Sequence, residues 1–246
     1  MKNSIYSKIL SAQKKKKAQL AVLIDPDKFN PELIRHADSC PVDYFFVGGS
    51  SLAKNNLDKV VGSIKKLSKK PVVIFPGDET QLSAKADAVL FLSLLSGRNP
   101  DYLIGKQVLA APIIKRKKIP SIATAYILIG SNNKSTTRRV TKTKPLNEKD
   151  LRAIINTCLA AELLGFKTIY LEAGSGAKTN IKATIIKQVK KAVSLPLFIG
   201  GGIDSAAKAK SAIKCGADIV VVGNALEKDL FLIKELSSLF INNTGL

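Results

Sequence analysis

The chain of 246 residues has no tryptophan, one histidine, one methionine and three cysteines. The single histidine, His36 in the helix-like stretch IRHAD, excludes a histidine-based catalytic triad and a histidine-rich metal site. Cys40, Cys158 and Cys215 lie far apart, in neither a zinc spacing nor a disulfide framework, and read as buried or bystander thiols. No apolar run approaches the ~18 residues that cross a bilayer. The stretch 89–95 comes nearest and is too short. The lysines at 14–17 precede an apolar run that Asp25 ends too soon for a signal peptide, so a cytoplasmic location is expected.

Acidic residues are few beside basic ones, 19 against 39, for a formal charge of +20. Such a field attracts polyanions: nucleic acid, an anionic membrane or phosphorylated substrates. The lysines fall in short clusters, at 14–17, 65–70, 115–118 and 187–191, on stretches that read as exposed helix faces. No cluster is interleaved with aromatics as a base-stacking platform would be, so nucleic acid is not the expected partner. A solvated surface explains the clusters, with peripheral attraction to a membrane surface the alternative.

What the chain does contain is a recurring unit. Short β-branched or apolar runs at 19–24, 43–47, 71–75, 87–92, 121–128, 167–171, 196–199 and 218–222 suit parallel strands covered on both faces. Amphipathic helices are expected over 31–37, 52–66, 103–117, 148–164, 181–193 and 205–214, with Pro112 arguing against an unbroken third helix. Pro opens or just precedes the third, fifth and seventh runs, and Asp opens the second, fourth and eighth (Asp43, Asp87, Asp218). That alternation is expected of a barrel grown from paired units. Eight strands in this length predict an α/β fold, a (β/α)8 TIM barrel in a single domain spanning 1–246. A doubly wound open sheet is the alternative.

In such a barrel the chemistry lies where the strands end. Gly174-Ser175-Gly176, Gly200-Gly201-Gly202 and Gly223-Asn224 follow the sixth, seventh and eighth runs. Glycine allows backbone N–H groups close to an anion, so three neighbouring loops predict a phosphate site, although each glycine alone would serve as a tight turn. Asp25 and Asp27 after the first run, with Ser50 after the second, offer oxygen ligands for Mg²⁺; equally, Asp25 would cap the turn before Pro26. Glu172 ends the sixth run, where a carboxylate would take a proton from a substrate hydroxyl or form a structural ion pair. The run at 89–95 stays apolar past its expected end, and the fifth ends in Tyr126-Ile127-Leu128-Ile129. A surface apolar on one side and phosphate-binding on the other points to an isoprenoid diphosphate. A phosphosugar isomerase or epimerase would share the glycine loops without using that wall. A basic nucleic-acid scaffold would use the charge without using Glu172.

LIDPDK (23–28), FVGGS (46–50), PGDETQLS (76–83), ADAVLFLSLLSGRNPDYLIGKQ (86–107), YLEAGSGA (170–177), GGGI (200–203) and VVGNAL (221–226) stand in order along nearly the whole chain. Together they resemble the geranylgeranylglyceryl phosphate synthases and their heptaprenylglyceryl phosphate relatives. The resemblance implies a modified barrel that joins the 3-hydroxyl of sn-glycerol 1-phosphate to C1 of a polyprenyl diphosphate, releasing pyrophosphate with Mg²⁺. It implies that Asp25 and Ser50 hold the metal, and that Tyr170, Leu171, Glu172, Ala173, Gly174, Ser175, Gly176, Gly201, Gly202, Gly223 and Asn224 cradle glycerol phosphate. Glu172 would be the base, with Tyr170 in the catalytic set. The PGD segment, the wall at 90–95 and Tyr126 would face the prenyl chain. The first-strand end and the long connection after Gly97 resemble the group of archaeal and some bacterial geranylgeranyl enzymes. The family also forms homo-oligomers, dimers and hexamers. The loop 131–146 is more basic than the resemblance leads one to expect.

Overall fold

The structure is a computed structural model and describes residues 4–49, 52, 56–130, 136–174, 176–177 and 179–241. Eight strands close into a parallel barrel in sequence order: β1 (Gln19–Ile24), β2 (Tyr44–Val47), β3 (Val72–Ile74), β4 (Ala88–Leu94), β5 (Ser121–Leu128), β6 (Thr168–Glu172), β7 (Leu197–Gly200) and β8 (Ile219–Val222). Closure is completed by β8 pairing with β1, Gln19 opposite Ile219. The open sheet is therefore excluded. Side-chain alternation divides the apolar residues into two groups. Ala21, Phe46, Val73, Leu90, Tyr126, Tyr170 and Phe198 fill the barrel. Their neighbours in sequence, such as Val22, Phe45, Val72, Val89, Leu171 and Ile199, pack outward against the helices.

The Pro and Asp alternation has a physical basis at the barrel's lower rim. The carbonyls of Pro71, Pro120 and Pro196 accept from Phe45, Val89 and Ile169 of the preceding strands, so these prolines contribute to the ladder without needing an N–H. The carboxylates of Asp43, Asp87 and Asp218 accept from the backbone N–H of Leu20, Val72 and Leu197 at 2.9, 2.7 and 2.7 Å. Asp87 and Asp218 also hold Lys65 and Lys190, at 2.7 and 2.5 Å. Each carboxylate thus ties strands β1, β3 or β7 to its successor. At β5–β6 the same position is Lys167, whose backbone N–H donates to Ala123. Beneath this rim the first helix, α1 (Ile5–Lys14), places Ile5 and Ile9 in the barrel-interior cluster as a floor.

The outer helices are α2 (Pro31–Asp38), α3 (Leu57–Leu67), α4 (Lys106–Lys117), α6 (Leu151–Leu163), α7 (Ala183–Ala192) and α8 (Ala206–Lys214). Short helices α5 (Thr136–Thr141), α9 (Asn224–Lys228) and α10 (Leu232–Ser238) complete the set. Two expectations need correction. The helix expected from residue 52 starts at Leu57 instead. The stretch 103–117 is not broken at Pro112; a π-helical turn (Asp101–Gly105) leads directly into α4, which runs through the proline. Pro112 is exposed, as is Val108, whose carbonyl the proline leaves without its usual N–H donor. Between β3 and β4 the chain crosses without a helix. That omission leaves a lateral opening bounded by Leu82, the outer face of β4 and α4, which becomes part of the site.

Candidate active site

At the upper rim a cavity of about 720 Å³ lies over the barrel, within the range of small-molecule sites. One end is polar and is lined by Gly176, Ala177, Gly201, Gly202, Gly223 and Asn224. The other is apolar, with Leu90, Leu92 and Leu94 from the barrel side of β4, and Val89, Phe91, Ala110 and Ile114 from the outer layer. Leu95, the last residue of the expected wall, packs into the helix layer instead. Pro76, Gly77, Asp78 and Tyr126 border the cavity as the sequence placed them.

Between the two ends stand Tyr170 and Glu172. Strand alternation turns both into the barrel and Leu171 out into the helix layer, so Leu171 offers the site its backbone only. Glu172 is 5% exposed. Its Oε1 accepts from the Gly174 N–H at 2.8 Å. No cation pairs with it among the described residues. Burial without a cation pushes its pKa from 4.5 up to about 7, against the smaller lowering by the Gly174 N–H and the Tyr170 hydroxyl. That value suits a proton acceptor working near neutrality. The Tyr170 hydroxyl is buried and lies close to Glu172, yet completes no regular hydrogen bond with the protein. Such an orphan donor calls for a ligand oxygen.

Gly200 is what lets these two groups approach. A Cβ there would fall 2.1 Å from the Tyr170 hydroxyl and 2.9 Å from Glu172 Oε2. Gly201 adopts a φ of +80°, and a side chain on it would meet Glu172 Oε1 at 2.3 Å. Of the expected cradle, Gly176, Gly201, Gly202, Gly223 and Asn224 share the cavity wall, with Asn224 opening α9 directly after β8. The N–H of Gly174 is taken by Glu172 and that of Ala173 by Gly200 O, so neither is left for a phosphate. Ser175 lies outside the described residues.

Asp25 fulfils one of its two expected roles and is placed for the other. Its Oδ1 accepts from the Asp27 N–H at 3.0 Å, capping the 3-10 turn Pro26–Lys28, while the residue also lines the cavity. Burial raises its pKa, offset by the Asp27 N–H and the Lys28 charge. Ser50, the other expected metal ligand, lies outside the described residues. Among those described, no group of three or more His, Cys, Asp and Glu side chains could hold a metal by itself. One carboxylate at the rim of an anion site nonetheless fits Mg²⁺, which characteristically keeps waters and binds through one or two carboxylates plus substrate phosphates.

Several contributors were not singled out from the sequence. Phe75 stacks on Tyr170 (5.1 Å, 11°) and meets Tyr126 edge-on (5.7 Å, 70°), so three aromatic rings form the floor between the two ends of the cavity. Gln81, buried, donates to Gly49 O at 3.0 Å and accepts from Gly77 N at 3.1 Å, tying the end of β2 to the helix-less crossover. Lys106 clasps Glu79 at 2.6 Å and lies over the Tyr102 ring at 5.4 Å, closing the apolar side. Phe75 reads from the sequence as core, Gln81 as loop and Lys106 as part of the expected helix 103–117. Phe75, Glu79, Tyr102 and Lys106 all line the one cavity, and Gln81 braces its edge from behind through Gly49 and Gly77. The basic loop turns Thr136, Thr137, Val140 and Thr141 to the cavity, while Arg138 and Arg139 are not in its wall. His36 stays on α2, its Nδ1 2.9 Å from Glu32 O, remote from this site.

The fold is thus a closed (β/α)8 barrel whose upper-rim cavity has glycine loops at one end and an apolar groove at the other. Comparison with known proteins makes the assignment specific. The PcrB family model matches residues 12–239, and the chain belongs to that family. It is 46% identical over 230 residues to the geranylgeranylglyceryl phosphate synthase of Flavobacterium johnsoniae, covering 92% of this chain and 95% of that protein. With the enzyme of the same name from Pyrococcus horikoshii it shares 40% over 226 residues, 90% and 88% of the two chains. Its fold superposes on (S)-3-O-geranylgeranylglyceryl phosphate synthase from Thermoplasma acidophilum, a structure containing sn-glycerol-1-phosphate, with a TM-score of 0.90 at 28% identity, covering 97% of this chain and 98% of that one. The family expected from the ordered motifs is therefore the family found.

Proposed function

We propose that this chain is a prenyltransferase that joins the 3-hydroxyl of sn-glycerol 1-phosphate to C1 of geranylgeranyl diphosphate. The observation that carries this reading is the continuity of the cavity, with Glu172 and the aromatic floor between its polar and apolar ends. The names and the bound glycerol phosphate of its relatives support it. A phosphosugar isomerase would leave the apolar half unfilled.

In the reaction the C1–O bond of the donor breaks, its electron pair leaving with pyrophosphate. The glycerol oxygen bonds to C1 and its proton passes to the Glu172 carboxylate. The glycine loops fix the acceptor by its phosphate, so that the hydroxyl is aimed at C1; positioning of this kind supplies several kcal/mol. The Tyr170 hydroxyl, buried beside Glu172, would orient the acceptor oxygen there. Phe75, Tyr126 and Tyr170 line the cavity between its two ends, where an aromatic face turned to C1 would favour the positive charge that develops there. The leucine wall and the lateral opening beside α4 take the hydrocarbon chain and exclude water. Mg²⁺, held by Asp25 together with Ser50, would neutralise charge on the leaving diphosphate.

The deciding experiment is transfer from radiolabelled sn-glycerol 1-phosphate with Mg²⁺ and donors from farnesyl to heptaprenyl. Ether product with the C20 donor, lost in Glu172→Gln and in EDTA, is expected. Product with the C35 donor alone would change the donor and keep the chemistry. No product with any donor, from protein that still binds glycerol phosphate, would overturn the reading.

A further inference from the structure

Resting on that reading, we propose that Lys28 is a binding residue for the diphosphate of the donor, held in position by Glu227. Three cationic side chains line the cavity among the described residues: Lys28, Lys106 and Lys228. Lys106 is engaged with Glu79 and the Tyr102 ring at the apolar side. Of the three, Lys28 alone pairs with Asp25, its Nζ 4.0 Å from Asp25 Oδ2 and 2.9 Å from Glu227 Oε2.

The reason for a cation here is electrostatic. Asp25 and Glu227 both face this end of the cavity, and without Lys28 neither carboxylate would have a paired cation among the described residues. A polyanionic donor would meet repulsion before any metal could help it. An ammonium carries three N–H donors, and Glu227 and Asp25 leave part of that capacity unused. The side chain is half exposed, at 54%, with room to turn its free donors to a diphosphate oxygen. When the C1–O bond breaks, the departing pyrophosphate gains negative charge. A fixed ammonium beside it then interacts more strongly with the transition state than with the bound donor. Glu227, on α9 after β8, and Lys28, after β1, belong to the strand pair that closes the barrel, so this clamp also spans the closure seam.

The test uses the full chain and inorganic pyrophosphate with Mg²⁺, measured by calorimetry. Lys28→Met should weaken pyrophosphate binding about tenfold or more, as loss of a charge-assisted hydrogen bond does, while sn-glycerol 1-phosphate binding and Tm stay unchanged. Lys28→Arg, which keeps the charge, should stay within about threefold of wild type. Glu227→Gln keeps an acceptor for Lys28 and should also stay within about threefold. Lys28→Gln serves as a second variant should the methionine protein fail to fold. In turnover, KM for the donor should rise and kcat fall in Lys28→Met with the acceptor KM unmoved. Equal losses in Lys28→Met, Lys28→Arg and Glu227→Gln would mark a structural ion pair and overturn the proposal. So would wild type that fails to bind pyrophosphate, or Lys28→Met that binds it normally. If pyrophosphate binding follows the expected order but wild type transfers no prenyl group, the anion site stands and the prenyltransferase reading falls.

Discussion

Replacing Glu172 by glutamine should stabilise the protein at alkaline pH while abolishing turnover. Glu172 is buried, its Oε1 holds one backbone N–H, and its pKa is pushed from 4.5 to about 7 by burial. A pKa higher in the folded state than in the unfolded chain means that folding favours the neutral acid. The favourable contribution is complete below about pH 4.5 and is lost as pH rises through about 7. At pH 8 the charged form therefore costs about 3 kcal/mol, at ~1.36 kcal/mol for each pH unit of displacement. Glutamine keeps the shape and an acceptor oxygen for Gly174 but never ionises. For a chain of this length ~1 kcal/mol corresponds to about 2 °C in Tm. Glu172→Gln should match wild type at pH 4 and exceed it by about 6 °C at pH 8. The assay is thermal unfolding of both proteins across that range. A pH-independent difference, or a less stable variant at pH 8, would refute the argument. Activity should run the other way, with kcat/KM rising through an apparent pKa near 7 as the carboxylate becomes able to accept a proton.

Asp25→Asn should retain the Asp27 cap, since an amide oxygen also accepts, and so shift Tm by less than about 2 °C; Mg²⁺-dependent pyrophosphate binding, read by calorimetry, should be lost. Ala110→Phe should fill the groove between α4 and β4, raising KM for a C20 donor at least tenfold while leaving glycerol phosphate affinity within about twofold; steady-state kinetics with each substrate varied in turn separates the two. At the opposite rim, Asp218→Ala should lower Tm by about 6 °C, equivalent to about 3 kcal/mol, because it leaves Lys190 without its carboxylate and the Leu197 N–H without an acceptor. Asp218→Asn, which preserves an acceptor for Leu197, should cost less than half of that in the same melting experiment.

The barrel was legible in the sequence because strand starts carry chemistry as well as strand interiors. Pro71, Pro120 and Pro196 need no N–H at their positions, and Asp43, Asp87 and Asp218 answer an N–H on the strand before, so the rim pattern appears as an alternation of residue types. Glu172 and the glycines were legible for a similar reason, being groups that a buried strand end tolerates only for a purpose. What escaped was what depends on a missing element. Nothing in Phe75 or Gln81 distinguishes them from core and loop residues until the absence of a helix between β3 and β4 is known. The unbroken path through Pro112 escaped too, since a proline is compatible with a helix only where the freed carbonyl is wet, and that exposure is a tertiary fact.

Burial by itself does not distinguish the two ends of the barrel. Asp218 at the lower rim and Glu172 at the upper are both carboxylates whose pKa is raised by burial. The difference is in their partners. Asp218 has the Lys190 ammonium at 2.5 Å and the Leu197 N–H at 2.7 Å, so its charge is answered and its role ends with the fold. Among the described residues Glu172 has one N–H and no cation, and lies close to a tyrosine hydroxyl that completes no regular hydrogen bond. Asp25 repeats the pattern, with one oxygen capping a turn and the other 4.0 Å from a half-exposed lysine. Hydrogen-bonding capacity is thus filled at the rim that holds the strands together and left open at the rim where the cavity lies. A protein gains nothing in stability from leaving buried polar atoms unfilled. Their concentration around one cavity marks the end of the barrel where substrates complete the bonding.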